Sequence, residues 1–568
     1  MMAQINTHGH DLDQAPIHGL PDEILEVIFL INASKMIGKG NENHPYDPHS
    51  TTLATAQVCQ RWRAVALNYP FIWSRIINYE QHSPLWIETL LARSGSTLID
   101  VGKEFTRDSQ AAFKHVLLKP PRSQPVLQSI FQRISGLKKV NLKIYNDPWE
   151  PICRSFLGRP APNLEFLNLV TVYTGSSYPD CLYLDPLFAD EAPCLRRLHL
   201  RRCLIDFSSS ALSNLTELSV RHITLRGTLT PLTHSYRLSL VPSIAGWLRV
   251  LKNIPTLRFL TLSCAIYDFT EHESLPVVDL PHLVLLTIDS TLFYQGIPLI
   301  DRLNIPPLCG IKFRLSQCFS RSMIGGLDSD SPKLLLFLSK HLSHWPQDCS
   351  NRYLNAKIFS YYTGRLRFGN SQNMIGQTSH RDMTESDEVE AHSRFSKDPM
   401  LSLVFDFNIN HSENSFIFFN QLLEVYSSTF STTTTLDLGV DTALITASGQ
   451  SSFSAFPTFH SFTNLKTLML RQQFPLHLLT FLQDSSALPA NHPLFPALES
   501  LHLSWPEPNM ENSDSVRRAK VVAFLLKRAE AGVPLSEINI LAGEVRYQTV
   551  EDVSRLGNVR VSYTGTLV

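Results

Sequence analysis

A short leucine pattern that recurs along the chain limits its possible folds more than any other feature of the sequence. Five segments follow the pattern Pro-x-Leu-x-x-Leu-x-(Leu/Ile), beginning at Pro162, Pro193, Pro255, Pro281 and Pro496. Leucines two positions apart lie on the same face of a β-strand, so each segment predicts a short strand with one buried face. The proline breaks any preceding helix and fixes the loop that leads into the strand. A proline at the same offset in five segments indicates true repetition rather than coincidence in a leucine-rich sequence.

Four further segments share the leucine spacing without the proline, and they begin at Leu137, Asn214, Asn464 and Leu535. The leucines that open the pattern are unevenly spaced, with 31 residues from Leu164 to Leu195 and 20 from Leu195 to Leu215. In pattern and period these segments resemble leucine-rich repeats, which are about 20–29 residues long. The resemblance implies a solenoid of stacked units with a curved parallel sheet. Unrelated strands of an ordinary α/β domain are the alternative.

A second pattern, near the N-terminus, predicts a short amphipathic helix. Its apolar residues fall on one face at i, i+4, i+5, i+8 and i+9, namely Leu20, Ile24, Leu25, Ile28 and Phe29. Pro21 suits the first turn of a helix, and Asp22 and Glu23 place negative charge at the positive end of the helix dipole. The polar stretch 34–50 then predicts a loop, and a helical pattern resumes at Thr51 and ends before Pro70.

Three blocks in this order, LPxEILxxIF from Leu20, VCxxWRxVA from Val58 and PxxW from Pro70, resemble the F-box. The resemblance covers residues 16–77, with a longer loop after the first helix than is usual. It implies a three-helix module that docks a Skp-type adaptor of a cullin–RING ubiquitin ligase. The adaptor-binding residues that it implies are Leu20, Pro21, Ile24, Leu25, Ile28, Phe29, Val58, Cys59 and Trp62.

Physical reasoning supplies a mechanism for that docking. Three short helices in about 60 residues have too little interior to cover all of these apolar side chains. Some of them should therefore stay exposed until a partner covers them, whereas Trp62 and Trp73 are expected to pack the helices together. The alternative is that these helices are the first pair of a larger domain, with their apolar faces turned inward.

The predicted fold class is α/β, with an N-terminal three-helix F-box followed by an irregular leucine-rich-repeat solenoid. Residues 1–15 are expected to form a disordered tail. Residues 16–77 form the F-box-like module, with the loop insertion at 34–50. Linking helices and a first strand occupy 78–135, and the array occupies 136–568, interrupted by a disordered polar loop at 370–398. Segments 310–365 and 401–440 lack the clean repeat, although Leu401–Phe407 and Leu436–Leu438 look like strands.

Composition and motifs argue against several function classes. The net charge of −1 removes the general argument for a nucleic-acid binder. The nine cysteines include no CxxC pair and no Cys/His cluster with zinc spacing, so we expect buried thiols and no metal. No phosphate-binding loop, nucleophile elbow, zinc-protease or dinucleotide motif occurs, so we expect no cofactor and no enzymatic activity. The polar N-terminus holds no signal core, and no stretch approaches the about 20 apolar residues of a membrane helix, which predicts a cytoplasmic or nuclear protein without membrane contact.

One local cluster suggests a binding surface. The strand Leu198-x-Leu200 is surrounded by five basic side chains, Arg196, Arg197, His199, Arg201 and Arg202. Side chains that alternate with the inward leucines point to the other face of the sheet, where they could hold an acidic or phosphorylated segment. The alternative is a solvated strand face with ordinary salt bridges.

Together these features predict a substrate-recognition subunit of a Skp–cullin–F-box type ubiquitin ligase. The F-box would dock the Skp-type adaptor, and the repeats would bind a protein substrate whose identity the sequence does not reveal. The first alternative is a non-catalytic repeat scaffold without a ligase role, in which the helices only cap the array. The second alternative is an enzyme on an α/β fold that carries no known motif.

Overall fold

The structure is a computed structural model of the full chain, and it forms two compact units, Met1–Leu215 and Thr216–Val568. The residues that it describes are 19–33, 48–79, 81–102, 116–118, 123–145, 156–172, 182–184, 187–223, 242–266, 275–290, 293–315, 333–334, 336–340, 352–359, 363–370, 401–406, 431, 433–440, 461–470, 495–504, 511–545, 555 and 559–567. The predicted tail at 1–15, residues 371–398 of the predicted loop at 370–398 and residues 34–47 of the predicted loop at 34–50 lie outside the described residues, whereas Asn370 ends a strand.

Six helices lie in the described part of the first unit: α1 (Asp22–Ala33), α2 (Pro48–Thr55), α3 (Gln60–Asn68), α4 (Pro70–Arg75), α5 (Pro84–Arg93) and α6 (Ser123–Phe131). Helix α2 begins earlier than the predicted start at Thr51, because Pro48 can occupy a first helical turn without losing a hydrogen bond. The described residues between 22 and 75 hold four helices where three were predicted, since Pro70 starts a further short helix as soon as α3 ends.

The first unit also holds a parallel sheet. Its strands are β1 (Ile99–Val101), β2 (Val116–Leu118), β3 (Leu137–Tyr145), β4 (Phe166–Val172) and β6 (Arg197–Arg201), and a separate parallel pair joins β5 (Leu182–Leu184) to β7 (Cys203–Ile205). Strand β3 pairs with β1, β2 and β4, and β4 pairs with β6. The predicted leucines of β6 face the core, with Leu198 and Leu200 buried. Strands β3, β4 and β6 begin where the leucine pattern predicts them.

The second unit continues the same alternation of strand and helix. Its helices are α7 (Ile244–Lys252), α8 (Phe293–Asp301) and α9 (Glu511–Glu530), and its strands are β8 (Glu217–Arg221), β9 (Phe259–Ser263), β10 (Val278–Asp279), β11 (Leu285–Ser290), β12 (Leu303–Asn304), β13 (Gly310–Leu315), β14 (Arg352–Phe359), β15 (Thr363–Asn370), β16 (Leu401–Asp406), β17 (Thr433–Val440), β18 (Thr467–Leu470), β19 (Ser500–Ser504), β20 (Glu537–Val545) and β21 (Arg560–Leu567). Two runs of parallel strands, β8-β9-β11-β13-β16 and β14-β17-β18-β19-β20-β21, flank β15.

Strand β15 is antiparallel to both β14 and β16. Its two partners lie in the segments 310–365 and 401–440, where the sequence shows no clean repeat, and β15 itself begins at the end of the first of them. The predicted α/β class with a mainly parallel sheet is therefore confirmed, and the exception lies where the leucine pattern stops.

A regular backbone hydrogen bond joins most of the leucine segments to the previous one. The donor is the backbone N–H group of the residue that directly follows the buried opening residue of a segment. The acceptor is the backbone carbonyl of the residue at the same position in the preceding segment, at 2.7–3.1 Å. Examples are Glu165 to Lys138, Val284 to Arg258 and Ser536 to Glu499. By the same criterion Cys309 and Val559, both buried, take the place of the opening leucine in two segments that the leucine pattern missed.

An asparagine side chain adds a second link at three of these positions. Asn163, Asn214 and Asn464 each directly precede a fully buried opening leucine. Their amide nitrogens donate to backbone carbonyls of the preceding segment, which are those of Ser135 at 2.7 Å, Pro193 at 3.3 Å and Ser431 at 2.6 Å. We call these three residues the asparagine clips. They satisfy loop carbonyls that the strand ladder does not reach.

The chain turns in the same way at the end of several strands. The residue after β1, β6, β8 and β9 has a positive φ, and these residues are Gly102, Arg202, His222 and Cys264. A left-handed backbone costs about 1–2 kcal/mol for a residue other than glycine. Tertiary hydrogen bonds offset this cost, as when His222 N–H donates to Ser263 O and Cys264 N–H donates to Asp289 O, both at 2.6 Å. Among the described helices, none combines the length and apolar character that crossing a bilayer would need.

Candidate functional site

Helix α1 is apolar on two sides. Leu25, Phe29 and Ala33 repeat every four residues and are at most 2% exposed, so they form the face that packs against the unit. Ile24, Val27 and Ile31 repeat at i, i+3 and i+7 on another face, and they remain 46%, 52% and 53% exposed. A helix of an ordinary domain would carry polar residues there.

The packing of α1 fixes the orientation of that exposed face. The helix contacts α2, α3 and α4, and its Phe29 ring lies 5.3 Å from the ring of Trp62 at an angle of 57°. Arg61 of α3 holds the start of α1, because its Nη2 donates to Asp22 Oδ1 at 2.6 Å and to Leu20 O at 2.5 Å. The exposed side chains are therefore presented on a helix that is anchored at its first turn and along its buried side.

The turn between α2 and α3 contributes one more exposed apolar residue. Val58 is 58% exposed, and the next residue, Cys59, caps α3 by accepting a hydrogen bond at Sγ from the Trp62 N–H group at 3.4 Å. A sulfur is an unusual N-cap, but it accepts one of the amide groups that the first helical turn leaves unpaired. We call Ile24, Val27, Ile31 and Val58 the apolar docking set.

The structure sorts the nine residues that the F-box resemblance implies into three groups. Ile24, Val58 and Pro21 are exposed; Leu20, Ile28, Cys59 and Trp62 are half-buried; and Leu25 and Phe29 are interior. Leu25 and Phe29 support the surface from below and do not form part of it. Val27 and Ile31 were missed, although their spacing from Ile24 could have indicated a second apolar face.

The expected structural role of Trp73 fits its surroundings. Trp73 is 1% exposed, and its Nε1 donates to Ala66 O at 2.8 Å, which ties α4 to the end of α3. The Arg93 guanidinium lies 4.5 Å from the centre of the indole ring and covers it from the side of α5. Trp62 is half-buried against Phe29 rather than interior.

A second candidate surface lies on strands β3, β4 and β6. Register places three outward positions of each strand in rows, which are Lys139–Phe166–Arg197, Asn141–Asn168–His199 and Lys143–Val170–Arg201. Four of these nine positions are Lys or Arg, and none is Asp or Glu. We call this group the basic strand face, and all five of its basic side chains are half-buried.

Aromatic and amide side chains organise the centre of this face. The Arg197 guanidinium lies 4.6 Å from the centre of the Phe166 ring, and the His199 ring meets Phe166 edge-on at 5.3 Å. Asn168 Nδ2 donates to Asn141 Oδ1 at 3.2 Å, and both amides are buried. A guanidinium that stacks by its flat face directs its N–H groups within its own plane, which is the geometry in which arginine donates to anions.

The predicted cluster around β6 is therefore divided. Arg197, His199 and Arg201 belong to the basic strand face. Arg196 precedes the strand and donates to the carbonyls of Pro193 and Leu195, so it caps a turn. Arg202 follows the strand with a φ of 56°, which takes it out of the strand alternation. Lys139 and Lys143 were missed because they come from a segment 58 residues before Arg197 and Arg201 in the sequence, and only pairing brings them together.

The side chains at these two surfaces can make apolar contacts and charged hydrogen bonds. In the described part of the chain, no group of three or more His, Cys, Asp and Glu side chains could hold a metal ion. Burial raises the pKa of the Cys203 thiol to about 11 and that of Cys309 to about 12. Both thiols are thus protonated at neutral pH, and the thiol form is a poor nucleophile.

No known family model matches this chain, and no curated protein matches it.

Proposed function

We propose that this protein is the substrate-recognition subunit of a Skp–cullin–F-box type ubiquitin ligase. In this proposal residues 19–77 dock the Skp-type adaptor, and the stacked strands bind a protein substrate. The observation that carries the proposal is the apolar docking set, of which Ile24, Val27 and Val58 lie within the sequence blocks that resemble the F-box and Ile31 lies one helical turn beyond Val27. Such a protein works in the cytoplasm or the nucleus.

The energetics favour a partner for this face. Complete burial of a Val or Ile side chain stabilises by about 1.5–3 kcal/mol, and the docking set is about half exposed, so each residue would gain about 1 kcal/mol on docking. Four such residues supply about 4 kcal/mol, which corresponds to about a thousandfold in affinity. An apolar helix or groove of the adaptor is the kind of partner surface that matches.

Stacking of the strand segments supports the second half of the proposal. The repeated backbone hydrogen bonds, the asparagine clips and the parallel register are the contacts expected of a leucine-rich-repeat-like solenoid with a curved sheet. A sheet of this kind offers a row of outward side chains from many strands, and such a surface suits an extended protein partner.

No residue of this protein needs to take part in catalysis under the proposal. A receptor raises the effective concentration of substrate lysines near the carrier enzyme by holding both partners in one complex. Rigid attachment of the docking helix to its unit, through Phe29 and Arg61, preserves that geometry.

Capture of a purified Skp-type adaptor by the full-length protein tests the proposal. The wild type should bind, and Leu20→Asp combined with Ile24→Asp should not, because docking would bury two carboxylates without partners. The matched control is Leu526→Asp, since Leu526 is 40% exposed on a helix of the other unit and its variant should bind like the wild type. Phe29→Ala serves as a folding reference, because removal of a buried Phe costs about 3–5 kcal/mol.

A non-catalytic repeat scaffold without a ligase role is the alternative function. It is favoured by the contact between α4 and β1, since helices that cover the first strand of an array can serve as its cap. A wild-type protein that folds but does not capture the adaptor would favour the scaffold. Loss of adaptor binding in the Leu20→Asp, Ile24→Asp variant, with unchanged circular dichroism, would argue against it.

A further inference from the structure

We propose that the basic strand face binds an extended peptide segment carrying carboxylate or phosphate groups. The four Lys and Arg residues lie at the corners of a block three strands wide, with Lys139 and Lys143 on β3 and Arg197 and Arg201 on β6. His199 lies between the two arginines on β6.

The dimensions of the block suit a short stretch of extended peptide. Neighbouring strands lie about 4.8 Å apart, so the lysines and arginines are separated by about 10 Å across the sheet. Residues four apart on one strand are about 13 Å apart along it. An extended peptide also advances about 3.3 Å per residue, so acidic side chains at i and i+4 would meet the two ends of the block.

The centre of the block explains why a peptide would be held and not merely attracted. Phe166 is 1% exposed and supports the Arg197 guanidinium, so less side-chain entropy is lost when Arg197 engages an anion. Between the two charged rows the buried Asn141 and Asn168 bond to each other, and His199 is the half-buried polar side chain of the central row.

The central outward row of these three strands differs from that of the next strands along the chain. In the second unit the equivalent central row of β8, β9 and β11 is Ser219, Thr261 and Thr287, all small hydroxyl side chains. The cluster on β3, β4 and β6 is therefore not a general consequence of the repeat. Asp100 of β1 is in register with Lys139, so one carboxylate already lies beside the lysine side of the block.

A peptide fits better than a nucleic acid. The protein has a net charge of −1, whereas nucleic-acid binders usually carry a basic excess that follows the phosphate backbone. The aromatic ring of this face, Phe166, is buried beneath Arg197 and offers no platform on which a base could stack. Identification of the peptide with a ligase substrate rests on the proposed function, although peptide binding itself does not.

Fluorescence anisotropy with the full-length protein tests the proposal without the adaptor. The probes are labelled 12-residue peptides of Gly and Ser with Glu at every fourth position, with phosphoserine there, or with Gln there, and a labelled 12-nucleotide single strand. We expect the Glu and phosphoserine peptides to bind at least tenfold more tightly than the Gln peptide. Tighter binding of the phosphoserine peptide would identify a phosphorylated ligand, and equal binding would identify an acidic one.

Charge reversal then locates the binding. Arg197→Glu combined with Arg201→Glu should weaken the Glu and phosphoserine peptides at least about 30-fold, since two charge-assisted hydrogen bonds are replaced by repulsion. Arg159→Glu combined with Lys252→Glu makes the same change in net charge at two exposed positions off this face and should weaken them less than about twofold. Arg197→Lys with Arg201→Lys should bind with intermediate affinity, because lysine keeps the charge and loses the planar fork.

Three results would overturn the proposal. One is equal binding of the Glu, phosphoserine and Gln peptides. Another is an equal effect of the two charge-reversal pairs, with folding of both confirmed by circular dichroism. The third is tighter binding of the single-stranded oligonucleotide than of either anionic peptide. Failure of adaptor capture together with specific peptide binding would overturn the ligase role and leave the peptide site standing.

Discussion

Removal of an asparagine clip should loosen one segment junction and leave the rest of the fold unchanged. Asn163 donates to Ser135 O at 2.7 Å and Asn464 donates to Ser431 O at 2.6 Å, and each bond crosses from one segment to the preceding one. A hydrogen bond of this kind contributes about 1 kcal/mol net. Asn→Asp keeps the size of the side chain and removes the donor, and it also turns a carboxylate oxygen toward a carbonyl oxygen.

The assay is hydrogen–deuterium exchange of backbone amides read by mass spectrometry, because a chain with two units need not unfold in one step. A loss of about 1 kcal/mol in local opening speeds exchange about fivefold. Asn163→Asp should give this faster exchange in the peptides that cover β3 and β4. Asn464→Asp should give the faster exchange in the peptides that cover β17 and β18.

Each variant is the control for the other, since the two clips lie in different units. Asn214, whose bond is longer at 3.3 Å, should give a smaller effect of about twofold when changed to Asp. Unchanged exchange in β3 and β4 for Asn163→Asp would refute the idea that the clips hold neighbouring segments together. Equal acceleration in both units would point instead to a general loss of stability.

Two further predictions concern the backbone and the thiols. Gly102→Ala should lower the melting temperature in a thermal unfolding scan by several degrees, because φ is 86° at this position and an added Cβ would lie 2.6 Å from Asn141 O. An unchanged melting temperature would contradict this close approach. Iodoacetamide at pH 8 should alkylate the half-buried Cys59 faster than Cys203 and Cys309, because burial raises the pKa of those two thiols to about 11 and about 12. Mass spectrometry measures the three rates, and equal rates in the folded protein would contradict this order.

The strands of this fold were accessible from the sequence because a two-residue leucine period directly encodes a half-buried strand. The leucine pattern itself did not mark the segments that open at Cys309 and Val559, since these residues fill the same buried place with a different side chain, although the alternation after Val559 still indicated a terminal strand. The antiparallel strand β15 escaped as well, because strand direction is set by pairing partners distant in sequence. The asparagine clips had a signal, an Asn before the opening leucine in three segments, which the leucine pattern overshadowed.

The candidate surfaces were only partly accessible for a similar reason. Helical spacing placed Ile24 and Leu25 in one apolar group, but only packing against α2, α3 and α4 shows that one is exposed and the other interior. The arginines of β6 were visible as a local cluster, whereas Lys139 and Lys143 joined them only through strand register. The positive φ of Arg202 and Cys264 had no signal, because neither side chain favours that conformation, whereas His222 is of a type enriched there.

The two-sided character of α1 also has a consequence for how much of the protein a cell can hold. A copy without a partner exposes Ile24, Val27 and Ile31 to every other apolar surface, including the same face of another copy. Copies of the protein whose apolar face stays exposed are removed by chaperones and proteases. Their steady-state level therefore follows the supply of the partner that covers this face. A helix built in this way couples the abundance of the protein to the stoichiometry of its complex.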